Sequence, residues 1–471
     1  MPIIIPANSA VSGGFNVANS LRFNSGSSDK LNRSTGVTTT NTKFTLSFWL
    51  KLCDISNFQS IFQTYKASNE RFECGFNLDN SNQPRFVVQE YTGSYIFRKI
   101  FTRLSRDVAA WTNYVIKFDS SEAEANRLRV YINGIEETAT DTVNLPSSGA
   151  SSIISVGTQN IGYSQSEDGQ YFNGYLAEFV LVEATDYAPT DFGEFDDSGI
   201  WKPIDVSGLT FGTNGYYLQY KEAGTSQNSS GIGADTSGNN NHFACDDVVA
   251  IDQTTDTCTN NFATINPLAN FYQQSTFAEG NTQVTFATSP YSYNIGTFGV
   301  ASGKWYWEIK YVSAGGDPNN SAHYGISGKG DTIAADKFLG YNSTDYGITP
   351  DDGGRLYNNN SHTSNSLYNF AIGDILSFAL DLDSGTNTLK FYRNGTEKIT
   401  TNISSSPESG FYFPAFGFAY SNAGSVAQLN FGNPPFAISS GNQDADGYGN
   451  FEYAVPSGYF SLNTKNLAEY G

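Results

Sequence analysis

The sequence has 471 residues, 26 Lys+Arg against 46 Asp+Glu for a formal charge of −20, 15% aromatic residues and a single Met. That length exceeds one ordinary hydrophobic core, so two or three domains are expected. No Lys or Arg lies between Lys221 and Lys304, where seven Asp/Glu occur; this argues against a nucleic-acid partner, whose phosphates require clustered cations. The abundance of Phe, Tyr, Gly, Ser, Thr and Asn favours strands and turns, and no apolar 3.6-residue period is sustained long enough for a substantial helix.

The first segment, residues 1–16, reads as a short N-terminal arm able to dock on another protein. "MPIIIPANSAVSGG" has no basic leading region and no long apolar run, so a secretory signal is not expected. No stretch approaches the roughly 20 apolar residues of a membrane span, so synthesis in the cytoplasm without membrane insertion is expected.

Residues 17–222 carry frequent strand patterns. Phe44, Leu46, Phe48, Leu50 and Leu52 alternate with Thr45, Ser47, Trp49 and Lys51, and "NYVIKFD" and "FNGYLAEFVLVE" alternate likewise. In "RFECGFNLD", Phe72, Cys74, Phe76 and Leu78 form an apolar face, which predicts a buried Cys74 thiol. Residues 223–270, rich in Gly, Ser, Thr, Asn and Asp, read as an acidic linker. Strands resume over 271–436, with Trp305, Trp307, Ile309 and Tyr311 on one face of "GKWYWEIKY". The Pro pair of "NFGNPPF" ends the pattern, and 437–471 reads as a tail. Many short strands with polar turns predict antiparallel sandwiches.

Two stretches share one pattern: "NRLRVYINGIE" (126–136) and "NTLKFYRNGTE" (387–397). Asn-Gly between strand-like runs signals a two-residue hairpin, since a type I′ turn needs positive φ at both central residues. Each copy follows a strand ending in Asp (Asp119, Asp383) and a polar turn, so each is the middle of a meander. Leu128 and Val130, like Leu389 and Phe391, should face the core, with Tyr131 and Tyr392 on the other side.

In their order along the chain, "TLSFWLKL", "WTNYVIKFD", "LRVYINGIE" and "FNGYLAEFVLVE" resemble the laminin-G type of concanavalin A-like jelly roll. "SGKWYWEIKY", "HYGISG", "GDILSFALDLDSGTNTLKFYRNG", "YFPAFGF" and "AQLNFG" resemble a SPRY domain. The resemblance implies an all-β chain of two antiparallel concanavalin A-like sandwiches in tandem. "NSLRFNSGSSDKLNRS", "DTSGNNNHF", "CTNNFATINPL" and "LNTKNLAEYG" are similar to segments of tailed-bacteriophage virion proteins in which a laminin-G-like domain precedes a SPRY-like one. This implies a structural protein on the exterior of a phage particle: a tail-fibre or receptor-binding adhesin for host-surface glycan or protein, or else a head-decoration or tail-assembly protein touching mainly other virion proteins. A homo-oligomer, a trimer by fibre analogy, is expected.

Catalysis is not expected, a polysaccharide-degrading enzyme being the remote alternative. Glycoside hydrolysis needs two carboxylates about 5–9 Å apart, and no tight pattern of acids on one strand face occurs; Asp381 and Asp383 read as turn initiators. His242, His323 and His362 lack partner motifs. Cofactors are not required, although calcium is compatible with the acidic loops that such sandwiches carry, with Asp196, Asp197, Asp235, Asp351 and Asp352 as candidates. A Cys245–Cys258 disulfide is open from spacing, whereas zinc would need ligands beyond these two and His242. For ligand binding, the Tyr/Asn/Ser/Asp-rich stretch 341–369 offers Tyr341, Tyr346, Tyr357 and Tyr368, suited to stacking on sugar rings or to protein contact.

Overall fold

The computed structural model describes residues 14–36, 39–79, 81–167, 169–288, 291–316, 321–330, 337–419 and 424–471. The N-terminal arm expected over residues 1–16 lies mostly outside them. The chain divides between Thr259 and Asn260 into two compact units. Each is a sandwich of two antiparallel sheets. Among the described residues the α-helix is a single short one, Thr464–Tyr470, and no helix is long and apolar enough to cross a membrane.

In the first unit, one eight-stranded sheet is built around the neighbours Trp111–Asp119, Lys43–Leu52 and Gly174–Glu183. The other contains, side by side, Ala139–Val143, Tyr95–Leu104, Pro84–Thr92, Glu70–Leu78, Gln59–Ala67, Thr158–Ile161, Lys30–Ser34 and Ala244–Asp246. The alternating residues Phe44, Leu46, Phe48, Leu50 and Leu52 meet Phe62, Phe72, Cys74, Phe76 and Phe86 from the facing sheet in one core. The stacked rings of Phe48 with Tyr114 and Phe179, at 5.8 and 5.3 Å, give it an aromatic centre.

The other face of Lys43–Leu52 is not solvated, although its residues alternate as if it were. Thr45, Ser47, Trp49 and Lys51 are all buried under a covering layer drawn from residues 187–217 and 254–258. Trp49, Trp111, Tyr175, Trp201 and Cys53 form one cluster there, and Val180, Val182, Phe192, Val206 and Phe211 another. Lys51 is tenable in that position because Asp256 reaches it: Lys51 Nζ donates to Oδ2 at 2.8 Å, Trp111 Nε1 to Oδ1 at 2.9 Å. Arg22, equally buried, donates to Asp252 Oδ1 at 3.2 Å. A buried ion pair of this kind is costly to break from one side only.

These contacts correct the expected linker. Residues 223–259 belong to the first sandwich: Ala244–Asp246 and Gln253–Thr254 each extend a sheet, and Ile232, Phe243 and Val248 lie in the core. The polar composition supplies turns and counter-ions. Asp235 Oδ1 accepts the N–H groups of Tyr217 and Ser237, and Oδ2 that of Asn241. The cysteines of this region are free; Cys245 packs on the main core and Cys258 on the Trp49 cluster beside Cys53.

In the second unit, Lys304–Ser313 is central. Trp305, Trp307, Ile309 and Tyr311 face the core as their alternation predicts. The expected tail is again a covering layer: Phe451 and Tyr459 pack on Tyr306 and Ala379, and Phe460–Ser461 pairs in parallel with Lys304–Ser313. Beneath it Glu308, fully buried, accepts the N–H groups of Glu452 and Tyr453 at 3.0 and 2.9 Å, Asn430 Nδ2 at 3.1 Å and Tyr306 Oη–H at 3.0 Å.

The paired Asn-Gly stretches form matching hairpins. Asn133 and Gly134 have φ of 49° and 75°, Asn394 and Gly395 49° and 74°, the left-handed pair that a type I′ turn requires. Leu128, Val130, Leu389 and Phe391 are buried in the two cores, while Tyr131 and Tyr392 join the covering clusters. Each Asn Oδ1 also accepts an N–H from the strand alongside, that of Asn113 at 2.8 Å or Ile375 at 2.9 Å. Each Gly lies under a ring of the covering layer: a Cβ would come within 2.4 Å of Trp201 or 2.5 Å of Tyr453. The repeat is therefore a landing point for the covering layer as well as a turn.

Gly134→Ala should destabilise the protein by about 1–3 kcal/mol. It should cost more than Gly93→Ala, whose φ is 80° but whose Cβ would meet nothing within 4 Å. Trp201→Ala should make the Gly134→Ala substitution less costly. Urea unfolding of the four variants measures both; equal costs for the two Gly substitutions would contradict the packing role.

Candidate functional site

Of the four outer sheet faces, three bury hydrophobic clusters: two such clusters lie on the first sheet of the first unit and one on each sheet of the second. The fourth, on the second sheet of the first unit, carries no such cluster among the described residues. It carries two rows of side chains set by the strand register instead. Gln63, Glu73, Gln89 and Arg98 are successive cross-strand partners over four strands. Tyr65, Arg71, Tyr91 and Tyr95 form the adjacent row in the same way. Direct partners share a face, so the polar row and the aromatic row lie side by side.

A depression of about 160 Å³ opens on this face, lined by Glu73, Gln89 and Arg98 of the first row and Arg71 and Tyr95 of the second, with Ser60, Gly75, Val87, Phe58, Glu167 and Gln170 around them. Gly75 is required by the backbone, since a Cβ there would lie 2.1 Å from Gln59 O. Polar contacts pre-organise the centre. Glu73 Oε1 accepts Gln63 Nε2 at 3.2 Å and Oε2 accepts Gln89 Nε2 at 3.1 Å. Gln63 is fixed further by Ser164 and Ser166, each at 2.8 Å, and its Oε1 accepts the N–H of Gln165. Arg71 stacks its guanidinium over Tyr91 at 5.1 Å, Arg98 over Tyr95 at 5.7 Å, and Tyr91 and Tyr95 meet edge to face at 5.3 Å. Phe58, 46% exposed, stands at one margin. Planar donors and acceptors beside aromatic rings suit a ligand with many hydroxyls and an apolar ring face.

None of the residues expected to bind ligand lies here. Tyr346 and Tyr368 are core residues of the second unit, which corrects their placement on an exposed loop; the stretch 341–369 is largely a meander of Asp345–Thr349, Arg355–Asn358 and Ser361–Ser364. Tyr341 and Tyr357 are half-buried, both packed on Phe338, with His323 and His362 against Tyr357. His323 Nδ1–H donates to Leu339 O at 3.0 Å, and burial lowers its pKa to about 4.

The candidate calcium ligands are dispersed and already partnered, apart from the exposed Asp197. Asp196 holds Lys202 at 2.7 Å and the N–H groups of Ser198 and Ile200. Asp351 and Asp352 clamp Arg355, and Asp235 is occupied by backbone N–H groups as above. Among the described residues the acids that do converge are Asp119, Glu122 and Asp186. Lys43 sits between Asp119 and Asp186 at 2.7 and 3.3 Å, and Lys117 lies 3.0 Å from Asp186, so lysines already balance the cluster. Asp381 and Asp383 are turn residues as expected, accepting the N–H groups of Ser384 and Gly303.

Residues 25–185 match the Laminin_G_3 family model, described as the concanavalin A-like lectin/glucanases superfamily, and residues 304–434 match the SPRY domain model. No curated protein matches the chain. Among solved structures, the SPRY domain of human HERC1 is similar at 20% identity, covering 35% of this chain and 96% of its own, with a TM-score of 0.29. A SAP-like pentraxin from Limulus polyphemus is similar at 16% identity, covering 36% and 80%, with a TM-score of 0.28. A putative carbohydrate binding protein from Bacteroides ovatus is similar at 12% identity, covering 43% and 56%, with a TM-score of 0.29.

Several buried carboxylates away from the groove hold their protons more tightly for lack of water around them, Asp345 among them. Burial raises Glu90 and Glu178 to about 7 and raises Glu308 as well. Glu178 sits at a bulge in Gly174–Glu183 with φ of 50°, accepts the Tyr217 hydroxyl, and borders a cavity of only about 10 Å³ under the covering layer. A carboxyl whose pKa is raised on folding binds its proton more tightly in the folded state. Its contribution is therefore most favourable below the unfolded value near 4.5 and declines as pH rises to about 7. Glu178→Gln should flatten the fall in unfolding free energy between pH 4.5 and 7; urea titrations at several pH values check it, and an unchanged slope would show that Glu178 does not hold its proton there.

Proposed function

We propose that this chain, with its concanavalin A-like and SPRY domains in tandem, is a non-catalytic glycan-binding adhesin. The observation that carries the reading is the uncovered sheet face of the first sandwich. There the polar row Gln63–Glu73–Gln89–Arg98 runs beside the aromatic row Tyr65–Arg71–Tyr91–Tyr95, and Glu73, Gln89, Arg98, Arg71 and Tyr95 line one depression with Phe58. Pre-set amides and guanidiniums meet hydroxyls, while Tyr and Phe meet the C–H face of a ring. Low-affinity sites of this type gain strength from multivalency, which suits display on a repeated assembly.

The finer part of the proposal is location. The segments that resemble tailed-phage virion proteins support a position on the outside of a phage particle, with host-surface glycan as the partner and, by fibre analogy, a trimer as the assembly. The acid excess supports this role by keeping many copies from associating non-specifically.

Gln89→Ala and Tyr95→Ala should each weaken retention on host-surface polysaccharide about tenfold or more, a loss of about 1.4 kcal/mol, without shifting the unfolding midpoint appreciably. A polysaccharide array probed with the full chain and both variants is the test. Binding that survives both substitutions, or maps to residues 260–471, would remove the groove from the function.

A further inference from the structure

We infer that the groove selects an acidic sugar, one whose ring bears a carboxylate such as a hexuronate, through Arg98 and Arg71; this rests on the glycan-binding reading above. Among the described residues, Arg22, Arg33, Arg85, Arg103, Arg106, Arg127, Arg355 and Arg393 each donate at least one side-chain hydrogen bond. Arg71 and Arg98 donate none of the standard length to a described residue, and both line this one depression.

The nearby acids leave these guanidiniums available. Both oxygens of Glu73 are taken by Gln63 and Gln89, so Arg71 Nε stays 3.7 Å from it, and Arg71 Nη2 lies 3.8 Å from the half-exposed Glu167. Arg98 Nη1 lies 3.6 Å from the half-exposed Asp141. A charge-assisted hydrogen bond closes to about 2.7–2.9 Å, so all three are loose ion pairs. The Nε atoms of Arg71 and Arg98 are buried without an acceptor, so a ligand is met by their Nη groups. The side chains themselves are largely buried, 13% and 19% exposed, and are held against Tyr91 and Tyr95. Their forks are therefore pre-oriented, and a planar carboxylate matches a guanidinium fork in two parallel bonds. Glu73 and Glu167 line the same depression, so the preference for a carboxylate rests on the fork geometry of the two guanidiniums and not on net charge.

The test uses the full chain on an array of host-surface polysaccharides, each native and after carbodiimide–borohydride reduction of its carboxylates to alcohols, with a sulfated neutral glycan as a further probe. Uronate-containing polysaccharides should be retained, and reduction should weaken retention at least tenfold. Arg98→Gln, checked for an unchanged unfolding midpoint, should show the same loss on native polysaccharide and no further loss on the reduced form. Equal retention of native and reduced forms, or an Arg98→Gln protein that still discriminates them, overturns the acidic-sugar assignment while leaving glycan binding intact. Retention of the sulfated probe alone overturns the carboxylate in favour of a sulfate. Retention of no polysaccharide overturns this inference together with the reading it rests on.

Discussion

The first sandwich depends on a cation buried on the wrong side of its central strand. Lys51 points away from the main core, yet it is fully covered, and Asp256 and Trp111 close over it. A lysine there with no acid would be severely destabilising, and an exposed lysine would leave Trp49 and Tyr175 in water. The solution adopted is a second layer whose hydrophobic residues cover the sheet and whose aspartates neutralise it. The second sandwich reaches the same solution with the opposite charge: Glu308 lies under the C-terminal segment and is satisfied by two of its backbone N–H groups. In both units a ring of the same layer rests on the Asn-Gly turn.

That covering explains why the proposed binding surface lies where it does. A sheet face already occupied by the chain cannot meet a partner. On the second sheet of the first unit, the outward positions are Arg, Glu, Gln and Tyr in register, and a covering layer of Val and Phe would leave them unpaired. Evolvable recognition on such a face needs only side-chain changes at outward positions, because the inward Phe72, Cys74 and Phe76 carry the packing. Function and stability are thus separated by the two-residue period of single strands.

Much of the fold was legible because it is written in short-range patterns. The alternation of Phe44 to Leu52 and of Trp305 to Tyr311 gave faces, and Asn133-Gly134 and Asn394-Gly395 gave turns whose positive φ only a few residues accept. The covering layers were not legible: Asp252, Asp256 and the segment around Phe451 act through partners far away in sequence, and a Gly/Asn/Asp-rich composition is the same in a linker and in a packed series of turns. The tyrosines failed for a related reason. Tyr346 and Tyr368 look like Tyr341 in sequence, and only the strand register that buries Tyr346 and the 3₁₀ turn that buries Tyr368 tell them apart. The groove did leave a signal. "RFECGFNLD" shows an apolar face, and its complement, Arg71, Glu73, Gly75 and Asn77, lines the depression; what sequence could not show was that Gln89 and Arg98 stand beside it on neighbouring strands.

The distance in sequence between Lys51 and its acid has a consequence in time. The two lie 205 residues apart, and Arg22 and Asp252 lie 230 apart. At a synthesis rate of about 5–20 residues per second, a nascent chain holds Lys51 for roughly 10–40 s before Asp256 exists. Throughout that interval the strands can pair but the central sheet cannot be sealed. Residues 187–217 can cover its Val face before then, but the Lys51 side of the sheet waits for Asp256, so final closure of the first sandwich is set by the ribosome's progress through its last aspartate.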